Sequence, residues 1–171
     1  RHIDPLQRSG GVLLMVATFK EPLETVIDLL KANHDAGTGT GWNRGNTDNV
    51  KPVIIDIASE GPERGKRLDL QRHDFILCYE TAEEERVPDL FYNFVTTRYN
   101  ITIDMRTARG RSRLRKMENE MRRIIHTSRK GDGANFDRMV LKTRTDLSDR
   151  TKKLFRHTFQ VEVVILAESI P

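Results

Sequence analysis

The hydrophobic period of this chain changes near residue 106, and that change is the strongest limit on its fold. From residue 95 to 105 the odd positions are mostly apolar and the even positions polar, a period of two that predicts a strand with one wet face. Beyond it, Leu114, Met117, Met121 and Ile125 recur at steps of three and four, which predicts an amphipathic helix. Because each apolar face needs a partner, we expect helices packed on a sheet.

The same patterns predict one more helix and four more strands. The helix contains "LETVIDLLKA", and its entry is signalled by the capping-box spacing of Thr18 and Glu21. The further strands are predicted at residues 51–58, 68–81, 137–146 and 155–167. The order is then α-β-β-β-α-β-β, and most links between strands are short. We therefore expect an α+β fold in which a mainly antiparallel sheet carries two amphipathic helices packed on one face.

The length of the chain sets its domain organisation. At 171 residues it is long enough for one domain with its own core and short for two. We expect a single α+β domain over residues 15–171, with a glycine-rich loop at residues 37–49, and we expect residues 1–14 to be an extension or an added segment. No run approaches 18 consecutive apolar residues, so neither a membrane span nor a membrane partner is predicted.

Charge is distributed unevenly along the chain. Residues 106–130 hold ten Lys or Arg and two Glu, a local net charge of +8, whereas the whole chain carries +4. The remainder is therefore acidic, and the segment "ETAEEE" places four glutamates within six residues, namely Glu80, Glu83, Glu84 and Glu85. Segregated charge of this kind serves self-association as well as binding to an external polyanion.

Few residues follow a pattern typical of catalysis. Cys78 is the only cysteine, so neither an intrachain disulfide nor a cysteine-based zinc site is predicted. The five histidines are scattered, without an H-E-x-x-H motif. The loop "GTGTGWNRGN" lacks the G-K-[ST] ending of a phosphate-binding loop and follows a helix instead of a strand. We therefore predict no enzyme activity, no catalytic residue, no metal and no cofactor.

Residues 88–106 loosely match the sequence pattern of metal-dependent nucleases. In such an enzyme Asp89, which follows Pro88, and Asp104 on the next strand would be the two carboxylates that hold Mg²⁺. Arg106 stands where the chemistry needs a lysine, and arginine does not readily give up a proton. The pattern thus departs from that of a nuclease at the residue that assists the attacking water.

The basic stretch has two open interpretations. Its cations can neutralise phosphates, so a small basic nucleic-acid-binding protein using residues 106–130 is one alternative. Its apolar stripe instead indicates a helix on a core with charges outside, and no aromatic residue interleaves the cations for base stacking. The arginines that we select as candidates for a subunit interface or a channel-facing surface are Arg109, Arg111, Arg113 and Arg115.

A closed ring would use both charge clusters, because its subunits meet through two different and complementary patches. On the acidic side the interface candidates are Glu83, Glu84 and Glu85. Trp42 is the only tryptophan and lies within the glycine-rich loop. We include it as a candidate contact anchor, with folding onto the chain's own core as the alternative.

The order and lengths of these elements resemble those of the tail terminator (tail completion) proteins of tailed bacterial and archaeal viruses. The resemblance spans residues 19–166. It rests on the helix "LETVIDLLKA", three strands, the amphipathic helix "SRLRKMENEMRRIIHT" and the closing strands in "RTDLSDRTKKLFRHTFQVEVVIL". Related neck and head-completion proteins of the same viruses share this pattern. The glycine-rich loop and residues 1–14 lie outside it.

This resemblance implies a non-enzymatic structural protein of the virion. Such a protein forms a ring, commonly a hexamer, that caps the tail tube, stops its polymerisation and joins it to the neck or head connector. The implied location is the virion tail or neck, and the host cytoplasm during assembly. The ring surrounds the channel that DNA traverses, so the basic segment would lie at a subunit interface or near DNA without binding it specifically.

Overall fold

The computed structural model describes residues 20–35, 42, 51–57, 69–86, 94–131 and 135–168. Within these ranges the chain forms two helices and five strands in one sheet. Their bounds are α1 Pro22–Asp35, β1 Val53–Asp56, β2 Phe75–Arg86, β3 Phe94–Thr107, α2 Arg111–Thr127, β4 Arg138–Asp146 and β5 Phe155–Glu168. The predicted extension at residues 1–14 and most of the loop at residues 37–49 lie outside the described residues.

The sheet is mixed, with the strand order β1-β2-β3-β5-β4. β1 runs parallel to β2, while the pairs β2–β3, β3–β5 and β4–β5 are antiparallel. The α+β class is thus confirmed, but the sheet is less uniformly antiparallel than expected. A parallel pair needs a long crossover, and residues 57–74 supply the chain length that links β1 to β2.

The two helices begin close to their predicted segments, and one strand begins later than predicted. α1 begins at Pro22 and α2 at Arg111, and Gly110, which precedes α2, has a positive φ of 95° that favours glycine. The strand predicted from residue 68 begins only at Phe75. Asp69 is the reason, since its side chain accepts hydrogen bonds from the backbone N–H groups of residues 71 and 72 and holds a turn there.

Both helices bury their apolar stripes against the sheet. α1 contacts β1 and β2, α2 contacts β3, β4 and β5, and the two helices contact each other. Alternate residues of the central strands, such as Ile103 on β3 and Phe159 on β5, complete the core from below. On α2 the predicted stripe is fully buried. One hydrophobic core therefore joins both helices to one face of the sheet.

The opposite face of the sheet is polar at its centre. Asp104 points there from β3 because it alternates with the core residues Ile103 and Met105. Its carboxylate accepts hydrogen bonds from the guanidinium groups of Arg106 and Arg156, at 2.6 and 2.9 Å. This face therefore satisfies a buried charge by pairing instead of covering it with apolar side chains.

In the part of the chain that the structure describes, neither helix combines the length and the apolar character needed to span a bilayer.

Candidate assembly surfaces

The acidic segment (residues 80–85) forms the second half of β2. Glu80, Glu83 and Glu84 are exposed there; Glu85 belongs to the same strand, and its side chain lies outside the described residues. The pKa of Glu80 is raised, first by partial burial and then by the negative charges of Glu83 and Glu21. The acidic segment therefore repels itself within one chain.

The predicted cationic surface lies where β3 leads into α2. Arg109 is exposed and donates a hydrogen bond from its guanidinium to the carbonyl oxygen of Gln71 at 3.3 Å. Arg111 is half exposed and lies 3.4 Å from the carboxylate of Asp146. Arg115 is exposed one turn later on α2. We call Arg109, Arg111 and Arg115 the cationic helix start.

Arg113 does not belong to that surface, which corrects its assignment from the sequence. Its side chain is 5% exposed, and its Nε donates to the fully buried carboxylate of Asp74 at 2.8 Å. Thr107 donates its hydroxyl to the same carboxylate, and a terminal nitrogen of Arg113 donates to the carbonyl oxygen of Trp42. The side chain therefore ties α2 to the segment before β2 instead of facing a neighbour.

Trp42 is also corrected, because its side chain is completely buried in the hydrophobic core. It is no exposed anchor for a partner. The alternative interpretation, in which the tryptophan folds onto the chain's own core, is the one that the structure supports. Its hydrogen bond from Arg113 links that core position to the start of α2.

Much of the positive charge in residues 106–130 is neutralised within the chain. At least five of its ten cations form ion pairs with carboxylates. These are Arg106 with Asp104, Arg111 with Asp146, Arg113 with Asp74, Arg122 with Glu118, and Arg123 with Glu120. The stretch that looks most suited to bind a polyanion thus spends half of its charge on its own fold.

A group of charged side chains around His157, beside the cationic helix start, was not predicted from the sequence. His157 is buried on β5, with Nδ1 at 3.1 Å from Glu118 of α2 and Nε2 at 3.5 Å from Asp146 of β4. The guanidinium of Arg144 lies 3.1 Å from the same ring. Hydrogen bonds from Ser148, first of all causes, hold the pKa of Asp146 well below its usual range. These contacts join three elements at one end of the sheet.

The nuclease pattern finds no support at its described carboxylate. Asp104 is fully buried, and both of its oxygens accept hydrogen bonds from Arg156 or Arg106. The charge of this carboxylate is thus compensated by two guanidinium groups. Asp89 lies outside the described residues. Across the described ranges, no three His, Cys, Asp or Glu side chains are grouped closely enough to hold a metal ion.

The acidic segment and the cationic helix start lie at opposite ends of β3. Glu84 pairs in register with Arg98 near the beginning of β3, whereas Arg109 follows two residues after its end at Thr107. Nine residues of strand separate Arg98 from Thr107, which is about 30 Å at roughly 3.3 Å per residue. Over that distance the charges are screened, so the two clusters do not neutralise each other within one chain.

Comparison with known proteins found neither a family model nor a curated sequence that matches this chain.

Proposed function

We propose that this chain is a structural assembly protein of a tailed virus, similar to a tail terminator, whose copies form a ring by head-to-tail contacts. The ring, six-membered by the resemblance, would cap the tail tube and join it to the neck or head. In this proposal the chain carries no catalytic residue, and its surfaces perform the function. Neighbouring tube and connector proteins would be its partners.

A single observation carries the proposal: the acidic segment is exposed, its glutamates lie close to one another, and it is distant from the cationic helix start of its own chain. The pKa of Glu80 is raised first by partial burial and then by the nearby charges of Glu83 and Glu21, so an approaching positive surface would favour its charged form. The cationic helix start offers such a surface at the opposite end of the molecule. Two complementary patches at opposite ends generate a heterologous contact, which closes as a ring when the rotation permits.

The proposal is tested by the mass of the protein in solution. Size-exclusion chromatography with light scattering should give a closed oligomer of about six chains for the unaltered protein. Reversal of charge by Glu83→Lys should shift the population toward monomer, because it removes one interface charge and places a cation opposite cations. Glu24→Lys, on an exposed residue of α1, changes the net charge equally and should leave the mass unchanged.

Native mass spectrometry then counts the subunits at low salt, where electrostatic contacts are strongest. An unaltered protein that stays monomeric at every concentration, and also with purified tail-tube protein added, would rule the ring out. Equal masses for Glu83→Lys and the parent oligomer would show that the acidic segment takes no part.

A second candidate function is nucleic-acid binding, and one observation favours it. A surface groove of about 910 Å³ is lined by Arg109, Lys152 and Lys153, with Asp69 and Gln71 on its rim. Three cations converging on one groove suit a phosphate backbone. Against this, the ion pairs within residues 106–130 lower the charge that remains for DNA.

Duplex DNA binding measured against salt concentration separates the two candidates. A backbone binder that contacts three phosphates should lose affinity with a slope of about −3 in log K against log salt. The variant with Lys152→Glu and Lys153→Glu should then lose binding, while Lys116→Glu, on the exposed face of α2, should lose less. A monomer with this behaviour favours the second candidate over the ring.

A further inference from the structure

We propose that neighbouring copies join edge to edge, with the outer edge of β2 in one copy pairing antiparallel to the outer edge of β4 in the next. The contact would continue the sheet from chain to chain. This inference rests on the proposed head-to-tail assembly and names the surfaces through which it occurs. It follows from the coverage, direction and charge of the two sheet edges.

Among the described residues, one edge of the sheet is unpaired over half of its length. β1 pairs only with residues 75–78 of β2, and the last bond on that side runs from the N–H of Ile57 to the carbonyl oxygen of Cys78. In the described part of the chain no strand lies beside residues 79–86. Backbone groups on such an edge are ready to pair with another strand.

In the described ranges, the other edge of the sheet is unpaired over the opposite half. Residues 129–131 lie against the beginning of β4, through a bridge between Lys130 and Arg138. Gly131 makes this approach possible, because a Cβ there would stand 1.7 Å from the carbonyl oxygen of Phe136. Within the described residues, no strand covers residues 140–146 of β4 from outside, and residues 142–146 are exposed.

The directions of the strands agree with antiparallel pairing. β2 runs opposite to β3, β3 opposite to β5, and β5 opposite to β4, so β2 and β4 run in opposite directions within one chain. When a second copy is placed beside the first with its helices on the same side, its β4 therefore runs antiparallel to the first copy's β2. Such pairing places both helical layers on one face of a continuous sheet.

The two covered halves avoid each other when the copies are staggered. β1 covers the part of β2 that pairs with residues 103–106 of β3. Residues 129–131 cover the beginning of β4, which lies level with about residue 98 of β3 when the pairing is followed through β5. A shift of about four residues, roughly 13 Å, brings residues 140–146 beside residues 79–86. Residues 129–131 then lie beyond the end of β2 at Arg86, and β4 ends at Asp146 before it reaches the neighbour's β1, so the hairpin of residues 147–154 must turn away from the sheet there.

Charge complements this stagger on both faces of the sheet. Glu83 shares the helical face with Arg144, whose guanidinium contacts Glu118 of α2. Glu84 shares the open face with Lys142, whose ammonium group contacts Glu162 at 3.1 Å. In the staggered arrangement Glu83 of one copy thus faces Arg144 of the next copy. Asp146 of the next copy falls opposite Glu80, and Arg111, which contacts Asp146, lies beside these two carboxylates.

Oxidative cross-linking tests this arrangement in the full-length protein. The shift places Glu84 opposite Thr143 of the next copy, and both positions are exposed. The variant with Glu84→Cys and Thr143→Cys should form a reducible ladder of covalent oligomers under a mild oxidant, since cross-strand neighbours have suitable Cβ spacing. Each single variant should stay uncoupled. Native Cys78 does not interfere, because burial raises the pKa of its thiol to about 12.

The register is checked with Glu84→Cys combined with Thr145→Cys, two residues further along the same edge, which should couple more slowly. A parent protein that forms oligomers by light scattering, while neither double variant cross-links, overturns the edge pairing and leaves the ring intact. Rapid dimerisation of the single Glu84→Cys variant would show two β2 edges meeting, and would also overturn it. A parent that is monomeric throughout overturns the ring proposal itself.

Discussion

The two ends of the central sheet treat their charges in opposite ways. At the end where β3 enters α2, carboxylates and cations pair, as in Arg113 with Asp74 and Arg156 with Asp104. At the other end the acidic segment has like charges beside one another, and the pKa of Glu80 is raised, first by partial burial and then by the charges of Glu83 and Glu21. The first arrangement stabilises the fold, whereas the second leaves neighbouring like charges on the surface. In the proposed assembly the second end is the one that meets another chain.

The buried ion pair between Arg113 and Asp74 gives the largest expected effect on stability. Arg113→Ala leaves the Asp74 carboxylate buried with only the Thr107 hydroxyl among the bonds described above. Breaking such a pair costs about 3–5 kcal/mol in the free energy of unfolding. Urea denaturation should show this loss. Arg115→Ala, two residues along the same helix, is the matched control, and equal losses in the two variants would contradict the assignment.

Asp146 gives an intermediate effect that depends on pH. Its pKa is lowered by hydrogen bonds from Ser148 and by nearby His157 and Arg111. A lowered pKa contributes stability above the usual value of 3.8, and that contribution is lost as pH falls through the folded-state pKa. Because this carboxylate is 38% exposed and solvent screens its contacts, Asp146→Asn should cost less than about 1 kcal/mol at pH 7. The difference should shrink below about pH 4.

Thermal unfolding of the parent and Asp146→Asn between pH 2 and 7 measures this difference. A constant gap across the range would show that the asparagine acts through packing and not through charge.

Glu80 belongs to the acidic segment, and its pKa is shifted in the opposite direction to that of Asp146. Its raised pKa means that the charged form is disfavoured in the fold, so its contribution is favourable only at low pH and becomes unfavourable as pH rises through the folded-state pKa. Glu80→Gln should stabilise the monomeric protein by a few tenths of a kcal/mol at pH 7. The gain should vanish in acid. Destabilisation at pH 7 would mean that the repulsion is compensated within the chain.

Arg115 gives the smallest expected effect on stability. It is exposed on α2, so Arg115→Ala should change the free energy of unfolding by less than about 0.5 kcal/mol. The same variant should weaken assembly if the cationic helix start contacts a neighbour. Light scattering at 50 and 300 mM salt measures the effect on assembly separately from the effect on stability. A loss in the free energy of unfolding as large as that of Arg113→Ala would show that the two arginines do not differ in their contribution to the fold.

Much of the fold follows from periodicity in the sequence. Alternation in β3 and β5 and the stripe of α2 predict those elements well, because one face of each is buried and the other is wet. The parallel pairing of β1 with β2 is a long-range contact that no local period encodes. β1 has only four residues, which is too short for its hydrophobic pattern to indicate the strand that it pairs with.

The candidate surface was predicted less well, and α2 shows why. Arg113 lies four residues before Met117 and eight before Met121, so the helical period already places it on the buried stripe. Its charge led to an outward assignment, because the partner that makes burial tolerable, Asp74, lies 39 residues away in sequence. Glu118 follows the same rule with His157. Spacing was the better guide than residue type at these positions.

The buried indole of Trp42 gives this protein its own optical reporter. Because the chain has one tryptophan and the structure places it at 0% exposure, emission from the native state should be blue and poorly quenched by iodide. Unfolding should shift it to the red. Assembly through the sheet edges should leave the emission unchanged, since the indole of Trp42 lies in the hydrophobic core. One fluorescence signal therefore reads folding separately from association in every variant discussed above.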